Sequence, residues 1–191
     1  MSGPPEQAGA EPPDSRAGGP RELLAALYDA HAAGLYRYAL VVLGDHAAAE
    51  DAVQQAFAKL AGIGGRLHGI DSFADYLRTA VRNECWRIIE KRRRRPEELE
   101  ASPAAPLIEA ADPNAVDEDE RLRVEGALRA LPAEQREVVY LKVYEDKTFQ
   151  QIADWVGVSI STITSRYRYA MEKLRERLGV ESDTEGNRHE R

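Results

Sequence analysis

Residues 148–170 read TFQQIADWVGVSISTITSRYRYA, and the spacing of small, turn and branched residues in this run decides the fold. Phe149, Ile152, Ala153 and Val156 recur at three- and four-residue steps, which predicts a short amphipathic helix broken at Gly157. A second helix starts near Ser161 and carries Ile163, Tyr167, Ala170, Leu174 and Leu178 on one stripe. The small side chain of Ala153 lets the second helix cross the first closely, and Gly157 supplies a left-handed turn residue. Ile163 then packs the second helix back on the core. This is the pattern of a helix-turn-helix, whose second helix enters the DNA major groove. The stripe leaves Thr162, Thr164, Ser165, Arg166, Arg168, Tyr169 and Lys173 facing outward. Hydroxyls and guanidinium groups near the start of such a helix suit base edges and phosphates. An ordinary helical hairpin would share the apolar stripe, but it has no need of both a glycine turn and a polar outer face.

Working outward, Leu122, Leu128 and Leu131 mark a helix closed by Pro132, and Val138, Val139, Leu141 and Val143 mark the next. Further upstream, Leu24, Leu27, His31, Leu35, Tyr38 and Val42 form a helical stripe that ends at Gly44. Asp45 is placed as the N-cap of a second helix, with Ala49, Val53, Ala56, Phe57 and Leu60 on its inner face. Four glycines between positions 62 and 69 predict a loop. Asp71-Ser72 followed by Asp75 resembles a capping box that opens a third helix through Phe73, Leu77, Ala80, Val81, Cys85, Ile88 and Ile89. That helix ends in Lys91-Arg92-Arg93-Arg94-Arg95 and is stopped by Pro96. The fold class is therefore all-α, with two small helical domains.

The 191 residues carry a net charge of −7, which taken alone argues against a nucleic-acid partner. The charge is unevenly placed. Residues 96–118 hold seven acids and no base among four prolines, whereas 21–95 hold nine acids and twelve bases and 119–180 hold ten acids and eleven bases. We thus expect a disordered tail over 1–20, domains over 21–95 and 119–180, an acidic flexible linker over 96–118, and a second disordered tail over 181–191. The domains themselves are mildly basic. On the third helix, Arg78, Arg82, Asn83, Trp86 and Arg87 lie away from the core stripe, where cations neutralise phosphates and an aromatic stacks on an unpaired base. A basic run at a helix C-terminus is also what the helix dipole favours, and Trp86 also fits a half-buried core position.

A lone cysteine, Cys85, excludes an internal disulfide framework and a cysteine-based zinc site within the chain. No apolar run approaches the roughly 18 residues that span a bilayer, and no secretory leader is expected. His31, His46, His68 and His189 are scattered and assemble no HExxH, phosphate loop or serine elbow, so neither a metal, a cofactor nor an enzyme activity is expected. His31, on the apolar stripe, reads as a packing residue.

Three stretches together resemble bacterial RNA polymerase sigma factors of the extracytoplasmic-function (ECF) group of the sigma-70 family. They are Ala49-Glu50-Asp51-Ala52-Val53-Gln54-Gln55-Ala56-Phe57, Leu131-Pro132-Ala133-Glu134-Gln135-Arg136-Glu137-Val138, and Ser161-Thr162-Ile163-Thr164-Ser165-Arg166. The resemblance covers about residues 21–178, in the order of sigma domain 2 and sigma domain 4. It implies a dissociable specificity subunit that works in transcription initiation in the bacterial cytoplasm, without catalytic residues of its own. Its implied partners are the RNA polymerase core, through the β′ and β subunits, promoter DNA and an anti-sigma protein, with no membrane insertion.

On that resemblance Glu50, Asp51, Gln54 and Gln55 bind core polymerase. Gly65, Arg66, Leu67 and His68 line a loop that captures an extruded base of the −10 element, and Arg78, Arg82, Asn83, Trp86 and Arg87 contact the strand. The −35 element falls to Thr162, Thr164, Ser165, Arg166, Arg168 and Tyr169. Thr164 and Tyr169 stand where the family often has a base, Ser161 where it often has Gly, and Tyr76 where Trp is common. Fewer fixed cations on the recognition helix imply weaker intrinsic DNA affinity. The acidic linker is expected to follow the polymerase's RNA path, its carboxylates standing in for transcript phosphates. The rival reading is a helix-turn-helix regulator that binds duplex DNA without sigma activity, yet neither a ligand-pocket nor a coiled-coil pattern accompanies it.

Overall fold

The structure, a computed structural model, describes residues 19–63, 70, 72–94, 107 and 118–179. The described residues are helical throughout their regular elements. α1 spans Pro20–Leu43, α2 His46–Ile63 and α3 Phe73–Arg94; α4 spans Glu118–Arg129, α5 Ala133–Val139, α6 Phe149–Val156 and α7 Ile160–Leu178. α5 runs on into a wider π-helical turn over Tyr140–Tyr144.

The helix ends follow local chemistry. α1 stops at Gly44, whose φ of 70° places it in the left-handed region while its N–H donates to the Leu40 carbonyl at 2.7 Å. Asp45 caps α2, its Oδ1 accepting from the Ala48 N–H at 2.9 Å. Ser72 caps α3 by accepting from the Asp75 N–H at 3.2 Å; Asp71, also expected there, lies outside the described residues. Thr148 and Gln151 form a reciprocal capping box on α6, and Ser159 caps α7. Between α6 and α7, Gly157 adopts φ 77°, a value that a side chain would strain, so the tight turn depends on it.

α1, α2 and α3 pack as a three-helix unit around Leu35, Val42, Leu60, Leu77, Val81 and Cys85. α5, α6 and α7 pack around Val138, Ile152, Ala153 and Ile163. The two helical domains are then joined through one continuous apolar core, because Val138, Tyr140, Leu141, Ile152 and Ala153 cluster with the α1–α3 residues. Leu107, from the proline-rich segment, is buried in the same core; the other linker residues up to position 117 lie outside the described residues. Each fully buried Leu or Ile contributes about 1.5–3 kcal/mol through removal of apolar area from water.

Two of the apolar residues that marked helices in the sequence are exposed. Val143 lies in the π turn, which adds a residue to the helical repeat and rotates it to solvent. Leu122 stands six residues before Leu128, which is not a whole number of helical turns, and α4 buries Ala127 and the Glu125 side chain in its place. No helix among the described residues is long and apolar enough to cross a membrane.

Candidate nucleic-acid and partner interfaces

Three surfaces carry the candidate residues. On α2 the apolar side chains of Ala49, Ala52, Val53, Ala56, Phe57 and Leu60 are buried, so the helix has one inner and one outer face. Glu50, Asp51, Gln54 and Gln55 are all exposed on the outer face, at the i, i+1, i+4, i+5 spacing that keeps them adjacent. The structure thus assembles these four into a single polar patch with an acidic N-terminal half.

α3 supplies the second surface. Leu77, Val81 and Cys85 form its buried edge, and burial pushes the Cys85 thiol up to about 12, with the nearby Glu137 charge adding to it. Arg78, Asn83 and Arg87 are exposed, whereas Trp86 is half-buried. Glu84, one residue before Cys85, was not foreseen as important. Its side chain is only 3% exposed, yet it accepts from Lys59 Nζ of α2 and, at 2.7 Å, from Arg87 Nε. Burial pushes the Glu84 carboxyl up, but the bonds to Lys59 and Arg87 outweigh it and hold the group below the ordinary carboxylate range. One carboxylate therefore ties the outer part of α2 to the guanidinium that faces out from α3. The clue in the sequence was its i, i+3 spacing to Arg87, but nothing local showed that it would be buried.

Arg82 has a different fate. Its Nε donates to Glu137 Oε1 of α5 at 2.8 Å, and its guanidinium lies 5.6 Å from the Trp86 ring and 5.9 Å from the Trp155 ring of α6. Glu137 is fully buried and also accepts from Tyr38 Oη of α1 at 2.6 Å. Burial and the Glu137 charge push the Tyr38 hydroxyl well up, so it stays a donor. The basic run splits similarly. Arg92 donates to Asp45 Oδ2 at 3.1 Å, while Lys91, Arg93 and Arg94 are exposed. Of the expected capture loop, Gly65, Arg66, Leu67 and His68 lie outside the described residues.

α7 supplies the third surface. Ile163 and Ala170 are its fully buried positions, and the outer face collects the expected residues. Thr164, Arg168 and Tyr169 are exposed, and Thr162, Ser165 and Arg166 are half-buried. Two hydroxyls are partly committed to the helix itself. Thr162 Oγ1 shares a hydrogen bond with the cap hydroxyl of Ser159, and Thr164 Oγ1 donates to the Ile160 carbonyl at 2.9 Å. The Thr164 oxygen, its hydrogen spent on Ile160, keeps its lone pairs as acceptors, which suits a base amine more than a phosphate. Arg168 lies 4.8 Å over the Tyr169 ring and 4.0 Å from Glu172, contacts that orient the cation on the outer face. Lys173 donates to Gln135 of α5 at 3.1 Å.

Between the domains lies a cavity of about 480 Å³ lined by side chains that include His31, Arg78, Glu145, Lys147 and Trp155. His31 is half-buried against this space rather than packed into the α1–α3 core. Among the described residues no group of three or more His, Cys, Asp or Glu side chains is arranged to hold a metal ion.

Comparison with known proteins finds relatives over both helical domains. The family model for Sigma-70 region 2 matches residues 27–95, and that for Sigma-70, region 4 matches residues 127–176. The chain is similar to the ECF RNA polymerase sigma factor SigL of Mycobacterium tuberculosis, at 35% identity over 83% of this chain and 92% of that protein. It is also similar to the ECF RNA polymerase sigma factor SigK of Mycolicibacterium vanbaalenii, at 32% identity over 83% of each. Among solved structures it resembles the sigma factor RpoE of Bartonella quintana in complex with the anti-sigma factor NepR. The TM-score is 0.60 at 25% identity, covering 84% of this chain and 96% of that one.

Proposed function

This chain belongs to the extracytoplasmic-function group of the sigma-70 family, and from that membership we propose how its three surfaces share the work. The protein is an RNA polymerase sigma factor: it binds core polymerase and directs promoter-specific transcription initiation, with promoter DNA and an anti-sigma protein as its further partners. Sigma factors are non-catalytic regulators, and we assign no reaction to any residue of this chain. Its place of action is the cytoplasm, where the polymerase works.

In our reading the acidic α2 face of Glu50, Asp51, Gln54 and Gln55 docks on the core polymerase, on the β′ subunit. Arg78, Arg82, Asn83, Trp86 and Arg87 of α3 meet the −10 strand together with Arg66, Leu67 and His68. The α7 outer face, with Thr162, Thr164, Ser165, Arg166, Arg168 and Tyr169, lies in the major groove of the −35 element. We place the region 2 work in residues 21–95 and the region 4 work in 119–180. The observation that carries this division is the exposure pattern: interleaved apolar residues on α2 and α7 are buried, and the polar residues between them are not. A helix that merely covered a core would have no reason to gather amides and carboxylates on one outer patch and hydroxyls, guanidinium groups and an aromatic on another.

The test is run-off transcription with purified bacterial core polymerase on fragmented genomic DNA. The wild-type chain should yield promoter-specific products, and a Glu50→Lys, Asp51→Lys double variant should lose core binding while keeping its helical content. Absence of both product and core binding in the wild type would refute the assignment. Duplex binding without polymerase, and without product, would favour the rival regulator instead.

A further inference from the structure

Arg82 is the only one of the candidate strand contacts on α3 whose guanidinium is consumed by a group from the other domain at hydrogen-bond distance. The Glu137 carboxylate presents two oxygens to it, with Nε at 2.8 Å and Nη2 at 3.5 Å, which is the side-on geometry in which guanidinium groups also hold phosphate. We propose that Glu137 acts as an intramolecular mimic of a strand phosphate, so that the closed packing of the two domains and capture of single-stranded DNA by Arg82 exclude one another. The proposal rests on the reading of Arg82 as a −10 strand contact.

Four further observations shape this latch. Tyr38 Oη donates to the same Glu137 oxygen at 2.6 Å, so the carboxylate is held from α1 as well as from α3. Trp155 of α6 packs edge-on to Tyr38 at 5.5 Å and lies against the Arg82 guanidinium, closing the side that an unpaired base would otherwise reach. At the far end of the seam Arg129 of α4 donates to the Gly44 carbonyl at 3.1 Å, at the negative end of the α1 dipole. Arg78 is 3.8 Å from Glu145, so a second strand-contact candidate also faces domain 4 acid, though it remains half-exposed. Every one of these contacts runs between α1, the Gly44 that ends it, or α3 and a residue of α4 to α6 or the turn that follows α5.

The polar groups at the seam favour opening. The indole N–H groups of Trp86 and Trp155 are buried there without a hydrogen-bond partner among the described residues, and each regains water when the domains part. The Glu137 carboxylate loses its partners on opening but recovers full hydration, so no uncompensated charge is left in a core. Opening also exposes the apolar side chains of Val138, Leu141 and Ile152 that join the domains. A polyanionic strand therefore competes against that burial as well as the Glu137 bonds, and strand binding and domain opening are coupled with equal strength in both directions.

The experiment uses the full chain and a fluorescein-labelled, mixed-sequence single-stranded DNA 20-mer, with anisotropy for binding and small-angle X-ray scattering for domain separation. The radius of gyration of the wild type should rise when saturating strand is added. Glu137→Gln and, separately, Tyr38→Phe should raise it without DNA and tighten strand binding, by about tenfold for Glu137→Gln, the factor that one charge-assisted hydrogen bond commands. Circular dichroism checks that each variant keeps its helices, and the wild-type scattering arm needs no variant at all. Wild type that binds strand with an unchanged radius overturns the latch. So does a helical Glu137→Gln whose strand affinity is not raised. An Arg82→Gln chain that binds strand as well as wild type, or absence of strand binding in every variant, overturns the Arg82 reading together with the latch. Weakened Arg82→Gln beside unaltered Glu137→Gln overturns the latch alone.

Discussion

Removing both cations that hold Glu84 should cost far more than twice the removal of either. Lys59 and Arg87 have side chains 56% and 62% exposed, so solvent screens each of them, and Lys59→Met or Arg87→Met alone should destabilise by about 0.5–1 kcal/mol. The carboxylate between them is 3% exposed. With one cation left, Glu84 is still compensated; with both gone it is a bare buried charge, and losing the compensation of such a group costs about 3–5 kcal/mol. The double variant should therefore exceed the sum of the singles by about 2 kcal/mol, within the range seen for side chains that share one network.

Urea denaturation at pH 7 of the wild type, both singles and the double measures that excess. Adding Glu84→Gln to the double variant should return most of it, since the amide needs no cation. The excess should also depend on pH in a defined sense. Lys59 and Arg87 hold the folded-state carboxyl below its ordinary range, so its stabilisation is fully present above the unfolded value of about 4.3 and is lost as pH falls through the lower folded value. Singles that add to within about 0.5 kcal/mol at pH 7 would refute the reasoning. An excess that persists in strong acid would do the same.

Three further outcomes are expected. Asp45→Ala removes the α2 cap and the Arg92 pair together, for about 1.5–2 kcal/mol by thermal melting, while Asp45→Asn keeps a cap acceptor and should lose less than half of that. Gly157→Ala forces a side chain into φ 77° and should cost about 1 kcal/mol or more, with duplex −35 binding by the holoenzyme weakened because α7 shifts against α6. Cys85 is fully buried and its thiol is pushed up to about 12, so alkylation by iodoacetamide at pH 8 should occur only as fast as the α1–α3 core unfolds; rapid labelling of native protein would contradict the packing.

The helix-turn-helix was legible in residues 148–170 because every device in it is local. Thr148, Gly157 and Ser159 act within four residues of their partners, and the Ile163 to Ala170 stripe follows from helical period alone. The outer faces of α2 and α7 were legible for the same reason: once the inner stripe is known, the remaining positions are outside. The polarity of the chain misled only when averaged, since acids concentrate over residues 96–118. Val143 escaped because a π turn changes the helical period, and nothing in Tyr140–Tyr144 announces one. His31 sat on an apolar stripe yet faces the cavity, since the stripe of a helix cannot tell which neighbour it will meet.

Glu84 and Glu137 mark the limit most clearly. As letters, both are acids with an arginine close by in the sequence, and nothing local marks either as buried. Their hydrogen-bond partners lie 25 and 99 positions away, at Lys59 and Tyr38. Helix identity, capping and the polar outer faces depend on contacts within about four residues, and these the sequence by itself determined. Which carboxylates are desolvated, which guanidinium groups are free, and that the two domains close over Arg82 depend on contacts between elements far apart in the chain. Only the tertiary structure decided them, because desolvation and charge pairing are properties of the assembled interior and not of any one helix.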